Sequence, residues 1–387
     1  MPKDRVGIEA LKKFLGRLLY DHIKVEFPDL VEEIRNLVVA CRDEIEALGA
    51  PRETTLQQRQ FLSRVATRYQ QRVKDCLKGN YGDDWSSDDA QKLRMHLHLE
   101  NERFAKKMER KGHTWSFKTT DDAAAPDIDG SVDQKCEDIY QWIRQRYRES
   151  RGAELPGTVN PNVVQNLFRR QTAKWRKIST DHLSKIDRIV SEFNRHVWQN
   201  LVMEEDVRRQ IEERNGRPAR TARDHAAKQL ELLLADEMDG ILQTANHYFA
   251  DTLAATRQER VLLRLKGLGI QEHNTEMIIN LAEVAAVAHL GNEEQAIYDI
   301  HDILKAYYKV AIKRFIDNVI LQAVERCYLG SESSVAFVSP EFVGELSDDE
   351  LSSIAAESYA TSSTRAETTG RLQRLERALA LAENEHL

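Results

Sequence analysis

Residues 161–203, PNVVQNLFRRQTAKWRKISTDHLSKIDRIVSEFNRHVWQNLVM, decide the fold. Val164, Phe168, Gln171, Trp175, Ile178, His182, Ile186, Ile189, Phe193, Val197 and Leu201 recur at steps of three or four, the spacing of one face of an α-helix. A strand would set its apolar residues on alternate positions, and nothing here alternates. Arg151 to Gly157, RGAELPG, reads as the turn before this helix, and Asn215-Gly216-Arg217-Pro218 as the break after it.

The same period extends in both directions. A second long helix is expected over 220–264 along Ala227, Leu230, Leu234, Met238, Ile241, Ala245, Phe249 and Leu253. Lys266-Gly267-Leu268-Gly269 opens a linker with a small helical patch near 275–289. A third helix covers 293–329 along Ile297, Ile300, Leu304, Tyr308, Ala311, Phe315, Val319, Ala323 and Cys327, with Asp302, Lys305, Lys309 and Lys313 on its wet face. At about 1.5 Å per residue such a helix spans roughly 55 Å. Three helices of this length form an elongated antiparallel bundle, not a ball.

Toward the N-terminus, 8–27 reads as a helix with Leu11, Phe14, Leu15, Leu18, Leu19 and His22 on one side. Pro28 is expected to end or kink it, because proline lacks the amide hydrogen and clashes with the preceding turn. A helix at 29–48 follows on Val31, Ile34, Leu37, Val38, Cys41, Ile45 and Leu48, then one at 54–78 and a charged one at 88–111. Residues 112–132 show no periodicity and read as a disordered loop, and a short helix is expected at 133–150. Toward the C-terminus a short helix is expected at 347–359 and a last one at 365–385, with Leu372, Leu375, Leu379 and Leu381 or Ala382. No segment reads as a strand, so the fold class is all-α.

Composition agrees. Among 387 residues there are only 17 Gly and 8 Pro, few breakers for a chain rich in helix formers. The net charge of −7 argues against a nucleic-acid partner, and Lys106 to Lys111 reads as a solvated helix end. Cys41, Cys76, Cys136 and Cys327 stand apart without CxxC spacing, the usage of reduced thiols and a cytoplasmic location. No run of about 18 apolar residues is present to span a membrane, and the charged start MPKDRVGIEALKKF lacks a signal-peptide core.

No chemistry is legible. A phosphate-cradling loop needs a glycine-rich turn ending in Gly-Lys-Ser/Thr, and the sequence has no Gly-Lys pair. Asp127-Ile128-Asp129-Gly130 fits a loose Asp-x-x-Gly pattern, but no strand precedes it. His96 and His98, two apart, face different sides of a helix and read as surface histidines, not as a metal pair. There is no Gly-x-Ser-x-Gly elbow. Catalytic, cofactor and metal residues are therefore expected to be absent.

Several stretches resemble the dynamin superfamily. Gly7 to Ile23, GIEALKKFLGRLLYDHI, running on to Phe27-Pro28-Asp29-Leu30, resembles the join between GTPase domain and middle region. Arg151-Gly152 with Glu154-Leu155-Pro156-Gly157-Thr158-Val159-Asn160 resembles the loop before a long stalk helix in Mx proteins and fungal dynamin-like proteins. Ile300 to Cys327, with Ala306-Tyr307-Tyr308-Lys309-Val310-Ala311 and Phe315-Ile316-Asp317-Asn318-Val319, is similar to the GTPase effector domain, and Ser339 to Val343 and Leu346 to Ile354 continue the match.

The resemblance implies a division into 1–28, like the last GTPase-domain helix and hinge; 29–291, a middle or stalk region; and 292–387, an effector region. It implies a four-helix stalk, with 29–48 and 365–385 as a partial pair of the small bundle that couples stalk to GTPase domain, and Pro28 as the hinge. It nominates Arg151, Gly152, Glu154, Leu155, Pro156 and Gly157 as an assembly loop. Ile300, Leu304, Tyr308, Phe315 and Val319 become the effector-helix core, and Leu372, Leu375 and Leu379 the contacts of the last helix. The GTPase domain has no counterpart, so GTP and magnesium would enter only with such a domain. Fewer than 30 residues between the second and third long helices leave no room for a pleckstrin-homology domain. The implied partners are the chain itself and full-length dynamin-like proteins, with peripheral membrane contact. The alternative is an incomplete form of a GTPase that remodels membranes or divides organelles.

Overall fold

A computed structural model describes residues 8–81, 89–117, 139–152, 158, 160–267, 271–273, 276–278 and 291–384. They fold as helices: α1 (Ile8–Ala47), α2 (Thr55–Lys78), α3 (Leu93–Lys111), α4 (Ile139–Glu149), α5 (Pro161–Gln171), α6 (Trp175–Leu201), α7 (Glu205–Met238) and α8 (Tyr248–Gly267). After a two-stranded pair, β1 (Gln271–His273) and β2 (Glu276–Ile278), come α9 (Asn292–Asn318), α10 (Arg326–Leu329), α11 (Pro340–Glu345), α12 (Asp348–Ala355) and α13 (Tyr359–Asn384). The chain forms two compact units, 68–339 and a second made of 1–67 with 340–387.

Unit 68–339 is an all-α bundle around α9, which packs against α3, α4, α5, α7 and α8. Most of the stripe read from the sequence is inside, while Ile189 and Leu201 are half-exposed and Val190 and Trp198 are buried instead. Val164, Phe168, Gln171, Trp175, Ile178, His182, Ile186, Phe193 and Val197 are buried, as are Ile297, Ile300, Leu304, Tyr308, Ala311, Phe315, Val319 and Ala323. α2 ends in this unit at Gly79, whose φ of +77° favours glycine, and Asn80 N–H closes the turn on Asp75 O at 2.8 Å.

The structure departs from the expected breakers and phase in five places. α1 runs through Pro28 as one 40-residue helix. Pro28 is exposed, so the Lys24 carbonyl that loses its helical partner stays open to water. α7 likewise runs through Pro218, because its buried stripe Ile211, Asn215, Ala222, Ala226 and Leu230 continues on both sides and selects Ala226, not Ala227. The 161–203 helix is instead divided at 172–174: Thr172 turns its hydroxyl back onto Phe168 O at 2.8 Å and closes α5. The 220–264 helix stops at Met238; Arg169 donates to Met238 O and Asp239 O, and Gln165 to Gly240 O, so side chains of α5 take the carbonyls of the exit. Ile241, expected on the apolar face, is therefore exposed.

The fifth lies in the helix expected at 293–329. Val319–Glu325 is a π-helical segment. Its i→i+5 bonding widens the turn, and the inward positions advance by one residue. Val324 and Tyr328 are buried in consequence, and Cys327 is left half-exposed. Two smaller departures follow. Gln271↔Ile278 and His273↔Glu276 pair antiparallel where a helical patch had been expected to begin; 279–290 lie outside the described residues. Asp302, assigned to the wet face, is buried, because α8 covers it.

His182 is enclosed with its ring stacked on Phe104, centroids 4.2 Å apart, and neither ring nitrogen has a hydrogen-bond partner. Burial lowers its pKa to about 4, with the nearby Glu100 opposing and Lys185 assisting. The folded state thus keeps His182 neutral, while the unfolded chain takes up a proton below about 6.5. Stability attributable to this residue is full above that value and is lost as pH falls toward 4. Urea unfolding should show about 2 kcal/mol less stability at pH 5 than at pH 7 from this source, and His182→Leu should flatten that slope; an unchanged slope would contradict the assignment. Phe315, fully enclosed against Trp175 at 4.7 Å, sits at the centre of the bundle. Phe315→Ala should cost about 3–5 kcal/mol in the same assay, and an unaltered melt would refute the packing.

Candidate assembly and coupling surfaces

The effector-helix residues nominated from sequence come together in unit 68–339. Ile300, Leu304, Phe315 and Val319 are enclosed, and Tyr308 nearly so. Around Trp175 they make an aromatic cluster. Its ring stacks on Phe315, lies 5.8 Å from Tyr308 and meets Phe168 edge-on at 5.9 Å. Trp175 Nε1 donates to Tyr308 Oη at 3.4 Å, and burial pushes the Tyr308 hydroxyl up to about 12, so it stays protonated. Gly112 is forced here: a Cβ would sit 2.4 Å from Met108 O and 3.0 Å from Tyr308 Oη.

Charged pairs tie the helices to one another. Arg314 grips Glu237 with two bonds of 2.7 Å, joining α9 to α7. Arg94 meets Glu325 at 2.5 Å across α3 and the π segment, and Lys185 meets the buried Glu100 at 2.8 Å across α6 and α3. These pairs act as clamps between helices. No group of three or more His, Cys, Asp and Glu is arranged for a metal among the described residues. His96 is half-exposed and His98 exposed, on either side of the buried Leu97. Asp127 to Gly130 lie outside the described residues.

Of the nominated assembly loop, Arg151 and Gly152 are exposed, while Glu154, Leu155, Pro156 and Gly157 lie outside the described residues. An open groove lined by Arg146, Glu149, Ser150, Val163, Asn166 and Arg170 precedes and follows that loop in sequence.

In the other unit α1 and α13 lie antiparallel. Arg35 pairs with Glu383 at 2.9 Å and Arg42 with Glu376 at 2.7 Å. Val38 and Cys41 are buried in this seam, and Leu372, Leu375 and Leu379 are half-buried. The seam is closed by a residue that the sequence did not mark. Arg365 donates to Leu48 O and Gly49 O, each at 3.0 Å, and to Glu357 at 2.8 Å. Its guanidinium fills carbonyls freed by the end of α1, where Gly49 turns at φ +72°, and Glu357 balances its charge out of water. Arg59 does the same for α11, donating to Val343 O, Gly344 O and Leu346 O. A sequence carries little signal for such caps, because donor and carbonyl are hundreds of residues apart.

The N-terminal half of α1 is uncovered among the described residues. Leu11, Phe14, Leu15, Leu18, Leu19 and Ile23 all show large exposed areas, Phe14 as much as 63%. Scattered exposed apolar residues are ordinary, but a contiguous stripe along a helix marks a contact surface. Pro28 lies between this stripe and the α13 seam.

Residues 1–258 match the family model of the dynamin central region. A 76-residue stretch is 34% identical to dynamin-related protein 3A of Arabidopsis thaliana. That alignment takes in 20% of this chain and 9% of the plant protein, so the chain spans only a small part of its relative's length.

The thin, half-buried stripe of α13 depends on the α1 seam. Amides of 372–382 should therefore exchange faster than those of 300–320, and Arg365→Met should accelerate them further, by about tenfold. Equal protection of the two segments in the unmodified chain would show that α13 is as firmly held as the bundle.

Proposed function

Because this chain belongs to the dynamin family, matching its central region over two-thirds of its length, we propose that it is the stalk and effector part of a dynamin-like protein, self-assembling through the stalk and coupling to a GTPase domain. The observation that carries the coupling half is the apolar stripe from Leu11 to Ile23 on α1, continuous with the α1–α13 pair. A helix face of this kind needs a cover, and the resemblance of residues 7–30 to the GTPase-domain join names it. Pro28 then acts as the hinge between that cover and the seam: a helix missing one internal bond bends most easily there. The assembly half rests on the family's habit of stalk self-association and on the exposed Arg151 and Gly152 in the nominated loop.

Hydrolysis belongs to the GTPase domain. The reading of the chain as part of a full-length GTPase that remodels membranes rests on the same stripe, and peripheral membrane contact would come with that assembly. No helix among the described residues is long and apolar enough to cross a membrane.

The chain alone should sediment with a mass that rises with concentration; a concentration-independent monomer would end the assembly half. Calorimetry with magnesium and GTP should show neither turnover nor tight binding, because no Gly-Lys-Ser/Thr loop supplies amides and lysine for the phosphates. Micromolar affinity would overturn that part.

A further inference from the structure

The described side chains of α8 meet α9 mainly through charge. Among its described side chains only Thr256 is buried, and Val261 and Leu262 face water. On α9, Asp299, Asp302 and Lys305 recur every third residue, and α8 answers with Arg257, Arg260 and Glu259. Arg257 lies 3.6 Å from Asp299, Arg260 lies 3.8 Å from Asp299 and 3.0 Å from Asp302, and Glu259 lies 3.8 Å from Lys305. Arg260 also sits over the Tyr298 ring at 5.3 Å, and Phe249 touches Tyr307 edge-on at 6.4 Å.

The centre of this seam is poorly satisfied. Asp302 is 1% exposed and Arg260 13%, so both charges have left water. Yet Arg260 approaches Asp302 Oδ2 off the hydrogen-bonding direction. That oxygen, together with Arg260 Nε and Nη1, has no hydrogen-bond partner. The other carboxylate oxygen meets His301 Nδ1 at 3.1 Å, and His301 Nε2 is buried and unpartnered. A buried ion pair compensates its desolvation only when the remaining donors and lone pairs are filled. Here they are not. The contrast is the Arg314–Glu237 clamp in the same bundle, with its two 2.7 Å bonds.

We propose that α8 is a releasable arm: it leaves α9 as a unit while the rest of the bundle stays folded, and rehydration of Arg260 and Asp302 drives the opening. The released state uncovers an acidic row, Asp299 and Asp302, flanked by Tyr298 on α9. The half-exposed outer pairs, Arg257–Asp299 and Glu259–Lys305, set the balance, so ionic strength shifts it.

Hydrogen exchange on the whole chain tests this. Amides of α8 should exchange at least about tenfold faster than those of α6 and α9, and raising NaCl from about 0.05 to about 0.5 M should accelerate α8 while leaving α6 and α9 unchanged. Arg260→Met, which strands Asp302, should accelerate α8 further. Arg260→Met with Asp302→Leu, which replaces the pair by apolar side chains, should slow α8 below the unmodified chain. Exchange of α8 in step with α9, or a double variant no slower than the unmodified chain, would overturn the proposal. Should the double variant lose helical circular dichroism, the salt titration of the unmodified chain decides alone, and an α8 insensitive to salt overturns it.

Discussion

The 68–339 unit depends on the enclosure of α9. A helix at a surface needs one apolar stripe; α9 is covered by five other helices, and nearly every side of it must be dry. Ile297, Ile300, Leu304, Ala306, Val310, Ile312, Phe315 and Ile316 supply apolar area around most of its circumference. What is left over is polar and has to find a partner in place: Tyr308 takes Trp175, Arg314 takes Glu237, Asp302 takes Arg260. These demands help to fix α6, α7 and α8 against α9. A partner that meets the demand fully, as Glu237 does, locks its helix; one that meets it partly, as Arg260 does, leaves its helix the least secured.

Apolar period was legible and local breakers were not. The stripe of α9 could be read residue by residue and that of α6 in most positions, because burial repeats with the helix; Ile189 and Leu201 of α6 are the exceptions. Pro28 and Pro218 are strong signals in an isolated peptide, yet each removes a single hydrogen bond from a helix of 40 or 34 residues. The buried stripe of α7 outweighs that loss, and at Pro28 water meets the freed carbonyl. The real stops, after Gln171 and Met238, carry no proline. The first is closed by the Thr172 hydroxyl on Phe168 O, and the second arises where Arg169 and Gln165 of α5 take the carbonyls of the exit. The π segment was invisible for a related reason: its sequence VILQAVE keeps helical composition, and only the burial of Tyr328 in place of Cys327 reveals the changed phase.

The functional surfaces divide the same way. Ile300, Leu304, Tyr308, Phe315 and Val319 could be named from spacing, since a core follows from period. Leu372, Leu375 and Leu379 could be named too, but not Arg365, which secures their helix through carbonyls more than 300 residues away. Exposure of Leu11 to Ile23 could not be read either. The sequence shows an amphipathic helix and is silent on whether anything covers it.

That uncovered stripe carries the account, and accessibility of Leu18 tests it. In a Leu18→Cys variant the new thiol should react with a maleimide in seconds in the chain alone, while the buried Cys41 stays unreactive. It should become strongly protected when a dynamin-like GTPase domain is joined ahead of α1. A thiol already protected in the chain alone, or one equally reactive with and without that domain, would contradict a coupling role for this face.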